Sequence, residues 1–353
     1  MKTIVLLVCL LMVTAQSNVA HATTIRFLTW NVENLFDAVK DPVKDDWEYT
    51  PANTPGKAQG CEKDPAFAAK CKSADWTDQK IEVKLSQIQQ MVSATGPLPE
   101  IFVMIEIENQ LMGNRLAKKL GYNGSIVSNG PDARGLNLGI LFNQSADLRL
   151  VSAEQIFVPA PKPTRPILKV KFNFRGQSLV VFVNHWPSNH NDPHNRVIAA
   201  ETLKASIEKE LSSNPSSSVI STGDFNVVSD VGTGDENPID LIVNKSWANS
   251  QLDVNQLFKA KFPNQPISPG TYYYPKTQSW NTFDRFFISK NLVDGAGIEV
   301  NVASFQIFTG ISRKITDRNG SQTVPIRYSP ETTNPSAAGY SDHFPVIMQL
   351  SVN

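Results

Sequence analysis

Apolar residues in this chain gather into short runs separated by polar and turn-forming stretches. Runs suited to buried strands fall at 25–29, 101–105, 138–142, 167–174, 179–183, 219–221, 283–289 and 344–352. Helical spacing is rarer. Ile81, Leu85, Ile88 and Val92 form one apolar stripe behind Thr77, a candidate N-cap. A second stripe runs through Val197, Ala200, Leu203, Ile207 and Leu211, and 109–120 is a third candidate helix. Many strands with few, separated helices, some neighbours joined too briefly for a helical crossover, predict mixed sheets covered by helices. Two packed sheets with outer helices fit best. The polar stretch 38–76 reads as a long ordered insertion on one rim. The Ser-, Asn- and Pro-rich stretch 212–218 reads as a loop, and no linker or internal repeat is evident.

The start of the chain changes the expected compartment. Lys2, the apolar run 4–13 and the small-residue pattern Ala20-His21-Ala22 read as a signal peptide, 1–22, cleaved after Ala22. The run is about half the length of a membrane span. The expectation is a soluble, secreted or periplasmic protein, with 23–353 forming a single domain and acting as a monomer. Removing Cys9 leaves Cys61 and Cys71, which in an oxidising compartment are expected to form a disulfide. A metal site and free thiols are the alternatives; two thiols without a nearby histidine fall short of a usual zinc set. Charge is balanced at 33 basic and 33 acidic side chains, and losing Lys2 leaves the mature form one unit negative. That weakens a pure nucleic-acid-binding module, which needs a basic footprint, more than an enzyme with local cations and a metal.

Candidate chemistry sits where apolar runs end. Asn31 lies in Trp30-Asn31-Val32-Glu33-Asn34, Glu106 follows five apolar residues, and Asp224 and Asn226 stand two apart after Val219-Ile220. Carboxylates and amides at strand ends suit a hard cation and a phosphate. Glu108, two residues beyond Glu106, is an alternative ligand if the strand continues. His185 follows another run, with His190 and His194 close behind; a zinc reading of these three is opposed by Pro187 and Pro193, which forbid one helix carrying them all. Asp284 is an acid inside an aromatic strand and needs a partner, for which His343, in Ser341-Asp342-His343, is the natural candidate. Arg134 and Arg196 each suit a phosphate clamp, or are simply solvated.

Thr29-Trp30-Asn31, the Glu106 strand, Asn184-His185, Gly223-Asp224-Phe225-Asn226, Phe283-Asp284 and Ser341-Asp342-His343 occur in one order along nearly the whole mature chain. In these motifs the chain resembles the endonuclease/exonuclease/phosphatase (DNase I-like) superfamily, which includes deoxyribonuclease I, AP endonucleases, neutral sphingomyelinases and inositol polyphosphate phosphatases. Its opening and the Trp76-Thr77 and Lys84-Leu85 segments look like a secreted bacterial branch. The resemblance implies a four-layer α/β/β/α sandwich with the site across the sheet edges. It implies Glu106 as main Mg²⁺ ligand, Asn31 holding metal or phosphate, and Asp342 completing the rim. Asp224 and Asn226 would position the attacking water and phosphoryl oxygen, His343 oriented by Asp284 would be the general base, and His185 the general acid. Mn²⁺ or Ca²⁺ would be alternative ions. Two departures stand out. The glutamine common before the metal glutamate is Ile105, and the glutamate that would orient His185 has no clear match, Asn129 or Asp132 lying nearest.

The expected function is therefore an exported divalent-metal-dependent phosphodiesterase, a nuclease acting on DNA or RNA. Arg134, Arg196 and Lys276 would track a backbone, and Tyr272, Tyr273, Tyr274 and Trp280 would either stack on bases or pair with the core. The alternative is a sphingomyelinase-like or other small-molecule or lipid phosphoesterase. A non-enzymatic binding protein would call for loss of a metal acid or a key histidine, and none is lost.

Overall fold

The structure is a computed structural model that describes residues 23–228 and 237–352. The expected signal peptide, Cys9 and the cleavage point after Ala22 lie outside the described residues. In chain order the strands begin with β1 (Thr23–Leu35), β2 (Ile101–Ile107), β3 (Gly124–Val127), β4 (Asn137–Phe142), β5 (Leu148–Ile156), β6 (Ile167–Phe174), β7 (Gln177–His185) and β8 (Ser218–Asp224). They continue with β9 (Leu252–Asp253), β10 (Tyr272–Tyr274), β11 (Ser279–Asn281), β12 (Asp284–Ile288), β13 (Ile298–Ile307), β14 (Arg313–Asp317), β15 (Gly320–Val324) and β16 (Val346–Val352). The helices are α1 (Lys57–Gly60), α2 (Ala68–Ser73), α3 (Asp78–Ala94), α4 (Gln110–Leu120), α5 (His194–Ser213), α6 (Pro238–Val243) and α7 (Val254–Lys261). Thr77 caps α3 by accepting from Lys80 N, and Asn109 caps α4 by accepting from Met112 N.

Two six-stranded mixed sheets result, ordered β13-β16-β1-β2-β4-β3 and β5-β6-β7-β8-β12-β9. Each has one parallel pair near its centre, β1 with β2 and β7 with β8, and antiparallel neighbours elsewhere. A parallel pair needs a crossover, supplied by α3 in the first sheet and α5 in the second. Alternate side chains of these strands enter different layers. Val103 and Ile105 of β2 meet Val181 and Val183 of β7 in the core between the sheets. Phe102 and Met104 face Ile81, Leu85 and Ile88 of α3, while Val180 and Phe182 face Leu203 and Ile207 of α5. Both faces are covered, which is why these runs are continuously apolar. The expected four-layer α/β/β/α sandwich is what the chain forms.

In the 38–76 stretch, Cys61 and Cys71 form a disulfide with Cα atoms 5.6 Å apart. Tyr49 stacks on Phe36 at 3.9 Å, and Trp76 Nε1 donates to Phe36 O, tying the segment back to the end of β1.

Candidate active site

The carboxyl ends of the two parallel pairs face one rim, and that rim collects the polar residues. Asn31 ends the regular part of β1, Glu106 lies near the end of β2, and His185 and Asp224 close β7 and β8 as register partners. Asp284 opens β12 opposite Asp224, and His343 precedes β16, whose antiparallel pairing with β1 returns it to the same edge. Ligands in α/β sheets collect at such strand ends.

Backbone irregularity aims several of these groups. The β2–β4 register pairs Ile105 with Leu138 and Ile107 with Asn137, so Glu106 is an extra residue, a bulge. Four of the six described non-glycine residues with positive φ lie at this rim: Glu33 (53°), Asn34 (61°), Glu106 (69°) and Asn226 (51°). Such conformations are costly for side chains with a Cβ and cluster at functional sites.

Asp224 is the hub. Its Oδ1 accepts from Asn226 N at 2.9 Å, and its Oδ2 accepts from Asn31 Nδ2 at 3.1 Å. The same Oδ2 lies 3.8 Å from Nε2 of both His185 and His343. Asn31 Nδ2 also donates to Glu106 Oε1 at 3.2 Å, and Asn34 N donates to Glu106 Oε2 at 3.2 Å. One amide nitrogen thus links two carboxylates. Burial raises the Asp224 pKa to about 7, with His343 pulling it down and Asp284 pushing it up.

His343 Nδ1 bonds Asp284 Oδ2 at 2.7 Å in a buried pair. With a proton on Nδ1, Nε2 carries the lone pair and faces Asp224 and, at 3.9 Å, Asp342 Oδ1. Burial alone would lower the imidazole's pKa, but Asp284, then Asp224 and Asp342, hold it well above the ordinary histidine value. His185 is the opposite case. Burial, followed by Arg165, Arg134 and His343, drives its pKa well below the ordinary value, so it is a neutral ring.

Several sequence expectations find a different place. Asn31 Oδ1 accepts from Glu33 N at 3.0 Å while its Nδ2 bridges the Glu106 and Asp224 carboxylates, which puts its amide at the centre of the rim. Glu108 is turned away, accepting from Asp37 N at 2.7 Å, and burial lifts its pKa to about 8; the bulge at Glu106 breaks the alternation that would have kept the two acids together. Arg196 is buried and donates to Pro187 O and Ser188 O at 3.3 and 3.2 Å, holding the loop after β7. Asp132 pairs with Arg165 at 3.0 Å and does not orient His185, whose Nδ1 is buried without a partner among the described residues. Asn129 donates its backbone N–H to Gln155 Oε1 at 2.9 Å. Arg134 is exposed at the edge of the site and close enough to lower the pKa of His185. His185 is buried at the rim whereas His190 and His194 are exposed on the loop and helix that follow, and among the described residues no cluster of three or more His, Cys, Asp and Glu side chains gathers them.

Other residues escaped sequence reasoning. Glu33 is buried and accepts from Asp342 N at 3.0 Å, Tyr328 N at 2.9 Å and Arg327 Nε at 2.7 Å. It fixes the backbone leading to His343. Burial and Asp342 raise its pKa to about 7 against the pull of Lys84 and Arg327. Thr271 Oγ1 accepts from Asp284 N at 3.1 Å, and Thr271 O accepts from Phe344 N at 2.8 Å, so one residue holds the backbone at both Asp284 and the residue after His343. Ser341 Oγ donates to Asn31 O at 2.7 Å, and Trp30 Nε1 to His343 O at 2.9 Å. Trp30 and Ser341 stand inside the motifs and Glu33 two residues beyond Asn31, but no role was legible for them; Thr271 carries no motif at all.

The fold and the rim of strand-end acids and histidines define a class of protein. Residues 25–352 match the Endonuclease/Exonuclease/phosphatase family, and the chain belongs to that family. Among solved structures it is similar to an endonuclease/exonuclease/phosphatase family protein from Bacteroides thetaiotaomicron, at 16% identity and a TM-score of 0.55, covering 94% of this chain and 99% of that one. It is also similar to a mannosyl-6-phosphatase of the same organism, at 17% identity and a TM-score of 0.54, covering 92% and 99%. D. rerio TDP2 complexed with single strand DNA product gives 15% identity and a TM-score of 0.54, covering 93% and 99%. At these identities the likeness establishes the shared fold. Among curated protein sequences none matches.

Proposed function

We propose that this protein is a divalent-metal-dependent phosphodiesterase that cleaves nucleic acid, with His343 as its general base. The observation that carries this reading is the buried Asp284–His343 pair, whose free Nε2 faces Asp224 at the point where both sheets meet. In the neutral ring, Nε2 takes a proton from water held beside Asp224, and Asp284 stabilises the imidazolium that forms. Asn226 keeps Asp224 in place through its backbone N–H, while its side-chain Nδ2 donates to Trp186 O at 3.0 Å. His185, whose Nε2 lies 3.8 Å from both Glu106 Oε1 and Asp224 Oδ2, donates to the phosphoryl or leaving oxygen, the place its motif gives to a general acid.

The donor set fits a hard divalent cation. Glu106 and Asp224 bring carboxylates to one amide nitrogen, and no described Lys or Arg lies within 4.0 Å of either. Glu106 would be the principal ligand, with Asp342 on the same rim. Mg²⁺ keeps several waters, so one or two carboxylates suffice, and Mn²⁺ and Ca²⁺ share the preference for oxygen. When bound, the ion would neutralise charge growing on the phosphoryl oxygens.

Nucleic acid is favoured by the flank of the site. The Tyr272 ring lies 5.0 Å from that of His343 and is stacked with Tyr274 at 6.5 Å, a short aromatic platform beside the base. Tyr273 and Trp280 instead bond Asp317 and Gln322 and pin β10–β11 to β14–β15. Export with removal of residues 1–22 is part of the same reading, supported by the sequence pattern and the Cys61–Cys71 disulfide. N-terminal sequencing of the exported protein should begin at Thr23; an intact Met1 in the cytoplasm would refute it.

A panel of duplex DNA, single-stranded DNA, RNA, sphingomyelin and inositol phosphates, each with Mg²⁺ or EDTA, tests the substrate. Cleavage of a nucleic acid in Mg²⁺ alone is expected. Turnover confined to sphingomyelin or an inositol phosphate would replace the substrate and keep the chemistry.

A further inference from the structure

Beside His185 the surface opens into a groove of about 680 Å³, lined in part by Phe67, Arg134, Lys162, Thr164, Arg165 and His190. Phe67 comes from the loop that the Cys61–Cys71 disulfide closes and is 59% exposed, so one wall belongs to the 38–76 segment. One residue lining the groove and one of the rim donate to the same backbone atom. Trp186 O accepts from Arg165 Nη2 at 3.0 Å and from Asn226 Nδ2 at 3.0 Å. Whatever occupies the groove therefore lies next to the reacting centre.

Its chemistry is that of an anion site. Three cations, Arg134, Lys162 and Arg165, line it against two acids, Asp64 and Asp132. Asp132 is spent on Arg165 at 3.0 Å and on the backbone N–H groups of Arg134 and Leu136. Arg134 and Lys162 are exposed and form no ion pair with a described residue. Arg165 is itself engaged, donating to Asp132 Oδ2 through Nη1 and to Trp186 O through Nη2, which leaves Arg134 and Lys162 as the free charges of the groove. Two exposed cations without acidic partners, on a wall whose Asp132 is already engaged, favour an anion with several oxygens.

We propose that this groove is a subsite for a second phosphate of the substrate, adjoining the one that reacts. The proposal rests on the phosphodiesterase reading and narrows its substrates to those carrying more than one phosphate. A nucleic-acid backbone meets the requirement, with Phe67 available to stack on a neighbouring base, and so does an inositol polyphosphate.

Binding in EDTA reads the groove without catalysis. The probes are a fluorescent single-stranded oligonucleotide, followed by anisotropy at low salt, and inositol hexakisphosphate as competitor. Lys162→Glu should weaken oligonucleotide binding about tenfold and lower the dependence on salt by about one phosphate contact, and Lys162→Arg should restore both. Hydrolysis of bis(p-nitrophenyl) phosphate, which has a single phosphate, should be unchanged in these variants. Inositol hexakisphosphate that binds while the oligonucleotide does not would assign the second phosphate to a small polyphosphate. Wild-type protein that binds neither probe, or a Lys162→Glu variant that binds like wild type, would overturn the subsite. Failure of wild type to hydrolyse bis(p-nitrophenyl) phosphate would count against the hydrolytic reading separately.

Discussion

His343 sits between Asp284 on its Nδ1 side and Asp224 and Asp342 on its Nε2 side, and this sandwich of carboxylates sets its titration. A base must be neutral to act, so the acid limb of the pH–rate profile should lie above the ordinary histidine range. Asp284→Asn removes the largest of the groups that raise the pKa. The acid limb should then move to lower pH, while kcat falls by about 10²-fold because the imidazolium loses its partner. A limb that stays in place would show that another group titrates there. These chemistry-bearing residues were legible in sequence because each is a polar residue within or at the edge of an apolar run. Glu33, Thr271 and Arg165 were not, because their work consists of contacts with Asp342, Phe344 and Trp186, far away in the chain.

At the level of elements, close backbone approach and irregular strands position the rim. Gly223 has φ of 125°, and a Cβ there would fall 2.0 Å from Asn184 O on the neighbouring parallel strand. Gly223→Ala should cost about 3 kcal/mol or more in denaturant unfolding and displace Asp224, with loss of activity. Wild-type stability would disprove the close approach. A second test concerns the docking of α5 on its sheet, where Glu210 meets Lys169 at 3.0 Å, Lys171 at 3.1 Å and Ser217 Oγ at 2.8 Å. Burial pushes the Glu210 pKa up, but these partners outweigh it, and the net shift is downward. The stabilisation is thus present above the ordinary value of 4.5 and lost as pH falls through the lowered folded value. Glu210→Gln should be about 1–3 kcal/mol less stable than wild type near neutral pH, with the gap closing in acid. A pH-independent gap would mean the loss is one of packing. Strands buried on both faces were plain in sequence as continuous apolar runs. The edge strand β5 was not, since residues 151–155 are exposed, and α6 and α7 are too short to display a stripe. The bulge at Glu106 was invisible because an extra residue changes no composition; it is why Glu108 read as an equal ligand.

At the scale of the whole molecule, the site belongs to neither sheet alone. Asn31, Glu106 and His343 come with the first sheet and His185, Asp224 and Asp284 with the second, each half built on a parallel pair with a helical crossover. Asn31 Nδ2 to Asp224 Oδ2 and His343 to Asp284 are the contacts that join the halves. Separation of the sheets would dismantle the hub, so catalytic activity and the signal of the buried tryptophans Trp30 and Trp186 should vanish together across a denaturant titration. Early loss of activity would show that the rim opens before the sandwich does. Sheets covered by helices were legible from many apolar runs with few helical stripes, and the four layers from the family motifs, whereas the side groove was not, since it arises where 38–76, the 162–165 segment and the loop after β7 meet. This junction is proposed to hydrolyse a phosphodiester with His343 as base and a divalent cation at Glu106. The most direct measurement is the initial rate of bis(p-nitrophenyl) phosphate hydrolysis by wild type and His343→Ala, each in Mg²⁺ and in EDTA. Turnover by wild type in Mg²⁺, its disappearance in EDTA and a loss of about 10²-fold or more in the variant are predicted. A rate indifferent to EDTA, or a variant as active as wild type, would contradict the account.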